Sequence, residues 1–318
     1  MQFPLFIGVD VAKAEVVVAC SQNSRSVQSV ANTGAALRKF LRSLPPGSSI
    51  AMEATGIYHQ CLADLAHQLG FAVYVLNPKD MRHYAKGVGL RAKTDRVDAG
   101  LIARFLAHEV SQLRVYEPPT PAQREMDQLI RRRAKIVTLK QSLRLSCAQA
   151  LSLKADTTKL LAGFAVMLKK IDRQIAVLTQ AIPQRVEQSK RLQTIVGVGP
   201  LVSAWLANLL SRLQFQNSDA LVAFVGMDPR PFDSGQKRGR RRLSKRGPSE
   251  GRRLLFNAGM AAAKSKVWAP IYAHYRQLGW SSTAAIVIIG RKILRIAFAL
   301  FKTGSKFNPE LLKAQSLT

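Results

Sequence analysis

Leu5-Phe6-Ile7-Gly8-Val9-Asp10-Val11 is the stretch on which the fold turns. It has the length and apolar composition of a buried strand, yet it carries a carboxylate. An isolated carboxylate is costly to bury, so Asp10 needs a metal, a cation or a cleft open to water. Glu15 to Cys20 follows at once, is rich in valine, and predicts a hairpin partner for the first strand. Asn23 and Ser24 supply turn chemistry before a third strand, Val27 to Ala31. Thr33 to Ser43 reads as a helix with Ala36, Leu37, Phe40 and Leu41 on one face, ended by Pro45-Pro46-Gly47. Ser49 to Glu53 makes a fourth strand, Tyr58 to Leu69 a helix, and Phe71 to Leu76 a fifth strand closed by Asn77-Pro78. The order βββαβαβα predicts an α/β unit, a mixed sheet with helices on its faces.

Pro118, Pro119 and Pro121 mark a boundary, giving a first domain of residues 1–118. Beyond it, Leu129, Ile136 and Leu143 recur seven apart. Leu161, Phe164, Leu168, Ile171, Ile175, Leu178 and Ile182 then alternate three and four apart, the a/d seam of a helical hairpin or an intermolecular coiled coil over 119–184, the alternative being an ordinary helix on a globular core. The remainder, 185–318, reads as mostly helical around one basic, glycine-punctuated loop.

Charge sorts the function classes. The 318 residues carry 48 Lys and Arg against 19 Asp and Glu, a net charge of +29. Residues 1–118 hold 13 basic and 9 acidic residues, 119–228 hold 16 and 7, and 229–318 hold 19 and 3. A gradient that steep calls for a polyanion at the C-terminal end, and nucleic acid meets it by releasing counterions. The basic run lacks the amphipathic helical pattern of a membrane-surface segment. The apolar run Ala284 to Gly290 is too short to span a bilayer, and the N-terminus lacks the features of a signal peptide. Three scattered cysteines make no disulfide scaffold or zinc site, so a reducing cytoplasmic location, associated with the nucleoid, is expected.

Four carboxylates stand out. Glu53 ends the fourth strand, and Asp95 and Asp98 lie three apart after a candidate N-cap, Thr94, which puts both on one helix face. Acidic residues in a first helical turn also complement the macrodipole, so neither aspartate is diagnostic alone. With Asp10 they form a hard-oxygen set suited to Mg²⁺ or Mn²⁺, and two such ions can clamp the attacking and leaving oxygens of a phosphodiester. Ile195-Val196-Gly197-Val198-Gly199-Pro200 has the glycine spacing of a helix-hairpin-helix turn, in which Gly197 and Gly199 let backbone N–H groups reach a phosphate. Arg230 to Arg253 packs ten basic residues into 24 positions, among them Arg230, Lys237, Arg238, Arg240, Arg241, Arg242, Lys245 and Arg246. Within it lies Asp233-Ser234-Gly235, whose serine is either a turn residue or a nucleophile activated by the surrounding positive charge.

Ile7-Gly8-Val9-Asp10-Val11-Ala12-Lys13, Glu53-Ala54-Thr55-Gly56, Asn77-Pro78 and Lys93-Thr94-Asp95-Arg96-Val97-Asp98-Ala99 together resemble the DEDD, or Piv-like, insertion-sequence transposases. The resemblance covers almost the whole chain. It implies a RuvC-like N-terminal domain of RNase H-like fold in which Asp10, Glu53, Asp95 and Asp98 are the metal-binding carboxylates. It also implies that Ser234, in Met227-Asp228-Pro229-Arg230-Pro231-Phe232-Asp233-Ser234-Gly235, is the nucleophile. Ser244, in Leu243-Ser244-Lys245-Arg246-Gly247, matches a second motif and is read as a phosphate contact and the fallback nucleophile. Such enzymes cut and rejoin donor and target DNA with Mg²⁺, as dimers or tetramers, guided by a structured bridge RNA. The competing expectations are an inverting recombinase of the same family and a non-catalytic basic nucleic-acid-binding protein.

Overall fold

Five strands organise the N-terminal unit. The computed structural model describes residues 5–90, 94–148, 154–181, 183–230, 239 and 241–315, divided into two units at Pro118 and Pro119. Strands β1 (Phe6–Val11), β2 (Glu15–Cys20) and β3 (Asn23–Ala31) form an antiparallel meander. Helix α1 (Gly34–Arg42) then leads to β4 (Ser49–Glu53), and α2 (His59–Gln68) to β5 (Ala72–Leu76). The sheet order is β3-β2-β1-β4-β5, with β4 parallel to both β1 and β5. Helices α3 (Pro78–Gly87) and α4 (Asp95–Glu109) complete the unit.

Alternation along β1 decides which residue meets which layer. Ile7, Val9 and Val11 join Leu37, Phe40, Leu41, Leu62 and Leu65 in the core beneath α1 and α2. Phe6, Gly8 and Asp10 therefore face the other side, where Ala51, Tyr74, Leu76, Leu101, Ile102 and Leu106 pack under α3 and α4. The unit is thus a helix–sheet–helix sandwich, as the element order predicts.

Two local readings need correction. Asn23 and Ser24 were expected in a turn but lie within β3; the turn is Ser21–Gln22, and a register shift at Ala19/Cys20 takes up the tight connection. Asn77-Pro78 closes β5 but also opens α3, which the sequence reading omits: the Asn77 side chain accepts a hydrogen bond from Lys79 N at 3.0 Å, and Pro78 occupies the first helical turn.

The second unit is mostly helical. Long helices α5 (Pro121–Ala148) and α6 (Lys154–Gln180) run against each other as a hairpin. Leu161, Phe164, Leu168, Ile171, Ile175 and Leu178 face inward, while Ile182 lies outside the described residues. Then come α7 (Pro183–Gln193), α8 (Pro200–Arg212), α9 (Ser218–Val225), a two-stranded ribbon of β6 (Pro229–Arg230) and β7 (Arg242–Leu243), α10 (Ser249–Ala263), α11 (Ala269–Gln277), α12 (Ser282–Thr303) and α13 (Glu310–Gln315). One core joins them: Met126, Leu129, Ile130 and Ile175 from the hairpin meet Leu192, Trp205, Leu255, Trp268, Ile289 and Ile293. Asp127 on α5 binds Arg212 at 2.9 Å and Asn208 at 2.8 Å, tying the hairpin to α8. All three cysteines are free thiols, and no helix among the described residues is long and apolar enough to cross a membrane.

Candidate active site

The carboxylates are placed by backbone packing. Val9 pairs with Met52 in the parallel β1–β4 register, so Asp10 and Glu53 are neighbours at the carboxyl ends of adjacent strands, on the face opposite Met52. Helix α4 lies directly on β1 because Gly8 has no side chain: a Cβ there would stand 2.2 Å from both Ala103 N and Ala99 O. Asp10 is two residues on and shares that face, so it lies toward the N-terminal turn of α4, which carries Asp95 and Asp98. That turn is fixed by Thr94, whose hydroxyl accepts from Val97 N at 3.3 Å.

The four groups sense one another. Half-buried Asp10 has its carboxyl pushed up from the ordinary 3.8 to about 6, first by burial and then by the charges of Asp95, Asp98 and Glu53. A backbone hydrogen bond at Val11 opposes the rise. Among the described residues no three His, Cys, Asp or Glu side chains are grouped tightly enough to hold one ion. The carboxylates are therefore electrostatic neighbours around a shared space rather than a closed ligand cage. Their chemistry fits a hard divalent cation: every donor is a carboxylate oxygen, and the mutual repulsion at Asp10 is what a cation would relieve.

The second unit supplies positive charge and a hydroxyl. Arg230, Arg241, Arg242, Lys245 and Arg246 are exposed around the β6–β7 ribbon. Ser234, Lys237, Arg238 and Arg240 lie outside the described residues. The base of the ribbon is closed twice between Asp228 and Ser244: the serine hydroxyl donates to the Asp228 carboxylate, and Ser244 N donates to Asp228 O at 3.0 Å. Lys245 then takes a left-handed conformation (φ 53°), and its N–H donates to Gly226 O at 3.1 Å, seating the turn on the end of α9. Gly247 sits too close to Phe224 O for a Cβ, at 1.9 Å.

Not every cation of the segment faces outward. The Arg252 guanidinium donates to Val225 O at 3.1 Å and Gly247 O at 2.6 Å, and burial lowers its pKa. Arg253 grips Glu250 in a two-pronged ion pair, at 2.7 and 2.5 Å. Both serve the fold. In the α7–α8 turn, Gly197 (φ 99°) would press a Cβ to 2.6 Å from Ala258 O, so its lack of a side chain is explained by packing on α10. Gly199 is in open space and precedes α8, which starts at Pro200 without a side-chain cap. Sequence reasoning passed over Gly8 and the Asp228 side chain; a glycine inside an apolar strand was the available signal for the first.

Carboxylates gathered at strand ends on one unit, and a hydroxyl-bearing, strongly basic segment on the other, are residue types that chemistry on nucleic-acid phosphodiesters uses. Residues 7–154 match the family model for DEDD transposases of the IS110 type, described as Transposase, and residues 189–276 match that of the Transposase IS116/IS110/IS902 family. The chain is 27% identical over 271 residues to a pilin gene-inverting protein of Moraxella bovis, covering 82% of each chain. It is 26% identical to a probable family 20 transposase of Pseudomonas aeruginosa, over 72% of this chain and 75% of that one. It is 24% identical to the transposase for insertion sequence element IS1328 of Yersinia enterocolitica, over 95% and 98%. The protein belongs to the IS110-type DEDD transposase family and is a DNA transposase/recombinase.

Proposed function

We propose that the chain moves a mobile element by cutting and rejoining DNA strands, with Asp10, Glu53, Asp95 and Asp98 holding Mg²⁺ or Mn²⁺ and Ser234 as nucleophile. The observation that carries this reading is the electrostatic convergence of three carboxylates on Asp10. A protein that only bound nucleic acid would gain nothing by concentrating negative charge where phosphates approach. The sheet order β3-β2-β1-β4-β5, with an antiparallel meander joined to parallel strands, supports an RNase H-like assignment for the first unit.

A divalent ion would neutralise the non-bridging oxygens and favour attack at phosphorus. The four carboxylates would hold that ion at the strand ends, and so fix where the scissile phosphate can be bound. The Ser234 oxygen attacks phosphorus, the bond to the departing sugar oxygen breaks, and the hydroxyl proton is replaced on that oxygen through solvent. A phosphoserine ester conserves the bond for rejoining. Exposed Arg230, Arg241, Arg242, Lys245 and Arg246 hold backbone phosphates, and their field stabilises the extra charge of the pentavalent transition state. Guidance by a bridge RNA follows from the family resemblance, and the net charge of +29 supports the large phosphate surface it would add.

A second reading has Ser244 as nucleophile, favoured by its hydrogen bond to Asp228, a carboxylate able to take the proton. The experiment is to trap the protein on nicked DNA and map the modified peptide. Attachment at Ser234, lost in Ser234→Ala and in Asp10→Ala, supports the first reading. Attachment at Ser244, or strand transfer that survives Ser234→Ala, overturns it. Inverted rather than excised products on a two-site substrate would place the activity with the gene-inverting relatives.

A further inference from the structure

Helix α12 is the central helix of the second unit and contains no acidic residue. Its inward face is apolar, with Ile289, Ile293, Leu294 and Ala297 fully buried. Its other face carries Arg291, Lys292 and Arg295. Arg291 and Lys292 are half-buried, and neither forms an ion pair among the described residues. Arg295 reaches across to Asp219, at the start of α9, at 2.6 Å. Burial lowers the pKa of both Arg291 and Lys292 and repulsion from Arg295 lowers both further, while Tyr275 and Asp219 act the other way on Arg291. Three cations so placed oppose one another in the free protein. Holding these charges partly out of water costs stability that Asp219 offsets only in part, and an arriving anion reduces that cost.

We propose that Arg291, Lys292 and Arg295 form a second phosphodiester-binding site, distinct from the β6–β7 ribbon, that grips the backbone of a bound nucleic acid. Arg291 and Arg295 lie one helical turn apart, ~6 Å along the axis, a separation that neighbouring phosphates of one strand can match. The site requires only that nucleic acid is the substrate, and stands whether or not Ser234 is the nucleophile.

The test is salt-dependent binding of the full-length protein to duplex DNA and, separately, duplex RNA. Arg291→Gln/Lys292→Gln should flatten the slope of log K against log salt on DNA by roughly two, since each phosphate contact contributes about 0.9. Arg291→Lys/Lys292→Arg, which preserves charge, should restore it. A change on DNA alone assigns the site to DNA backbone; a change on RNA alone assigns it to RNA. Acylation footprinting of Lys292 in the wild-type protein gives a readout independent of any variant, with protection expected on binding. Unchanged slopes on both duplexes, or equal Lys292 labelling with and without nucleic acid, overturn the proposal. None of these measurements needs strand cleavage, so a failed nucleophile assignment leaves them interpretable.

Discussion

Asp10→Asn should stabilise the metal-free protein. In the wild type the Asp10 carboxyl rises from 3.8 to about 6 on folding. Each pKa unit is worth about 1.4 kcal/mol, so the ceiling on the penalty of keeping it charged is about 3 kcal/mol. Asp10 is only half-buried, and solvent screening reduces the figure to about 1–2 kcal/mol. The sign follows from which state binds the proton more tightly. A raised folded-state pKa makes ionised Asp10 destabilising above pH 6; the penalty fades as pH falls through 6 toward 4 and is gone below the unfolded value. Urea unfolding with a chelator, followed by a probe in the N-terminal unit, reads this directly. Asp10→Asn should exceed wild type at pH 7.5, with a gap about half as large at pH 5 by the same linkage. Adding Mg²⁺ should close or reverse the gap, because ligand binding stabilises only the protein that keeps its carboxylate. A variant no more stable than wild type at pH 7.5 in chelator would refute the convergence of the four carboxylates.

Gly8→Ala should cost about 2–3 kcal/mol by overpacking, because its methyl meets α4 backbone at 2.2 Å; thermal unfolding and cleavage rate should fall together. Asp127→Ala leaves Arg212 and Asn208 without their shared partner, and should cost about 2–3 kcal/mol, read as a loss of unfolding midpoint. Ser244→Ala removes the hydroxyl bond to Asp228, at about 1 kcal/mol; nucleic-acid affinity should hold while strand transfer drops if the ribbon base positions the chemistry. Replacing Arg240, Arg241 and Arg242 with Gln should flatten the salt slope on duplex DNA by roughly two to three; an unchanged slope would mean they point elsewhere.

Much of this was legible in the sequence, for physical reasons that differ by residue. Asp10 declared itself because a charge inside an apolar strand is anomalous wherever the chain goes. The period of two in β1 already placed Asp10 and Gly8 on one face. That this face meets α4 is a matter of tertiary packing, with no local trace beyond the glycine. The α5–α6 hairpin was readable because a three-four alternation leaves little choice of face. Asn77-Pro78 was ambiguous, since the same pair ends a strand and starts a helix. Arg252 and Arg253 were indistinguishable by composition from their exposed neighbours. Only the carbonyls of Val225 and Gly247, and the carboxylate of Glu250, separate them.

The contact of α4 with the bare backbone of β1 at Gly8 sets how far Asp95 and Asp98 stand from the sheet. No side chain intervenes there, so the gap is fixed by main-chain atoms, which are common to every sequence. Core residues under α1 and α2 can then be exchanged for others of similar bulk without moving the carboxylates, because they lie on the opposite face of the sheet. Relatives that share only about a quarter of their residues with this chain could drift widely in that layer and keep one working distance. A single glycine would act as the gauge block against which the rest of the site is assembled.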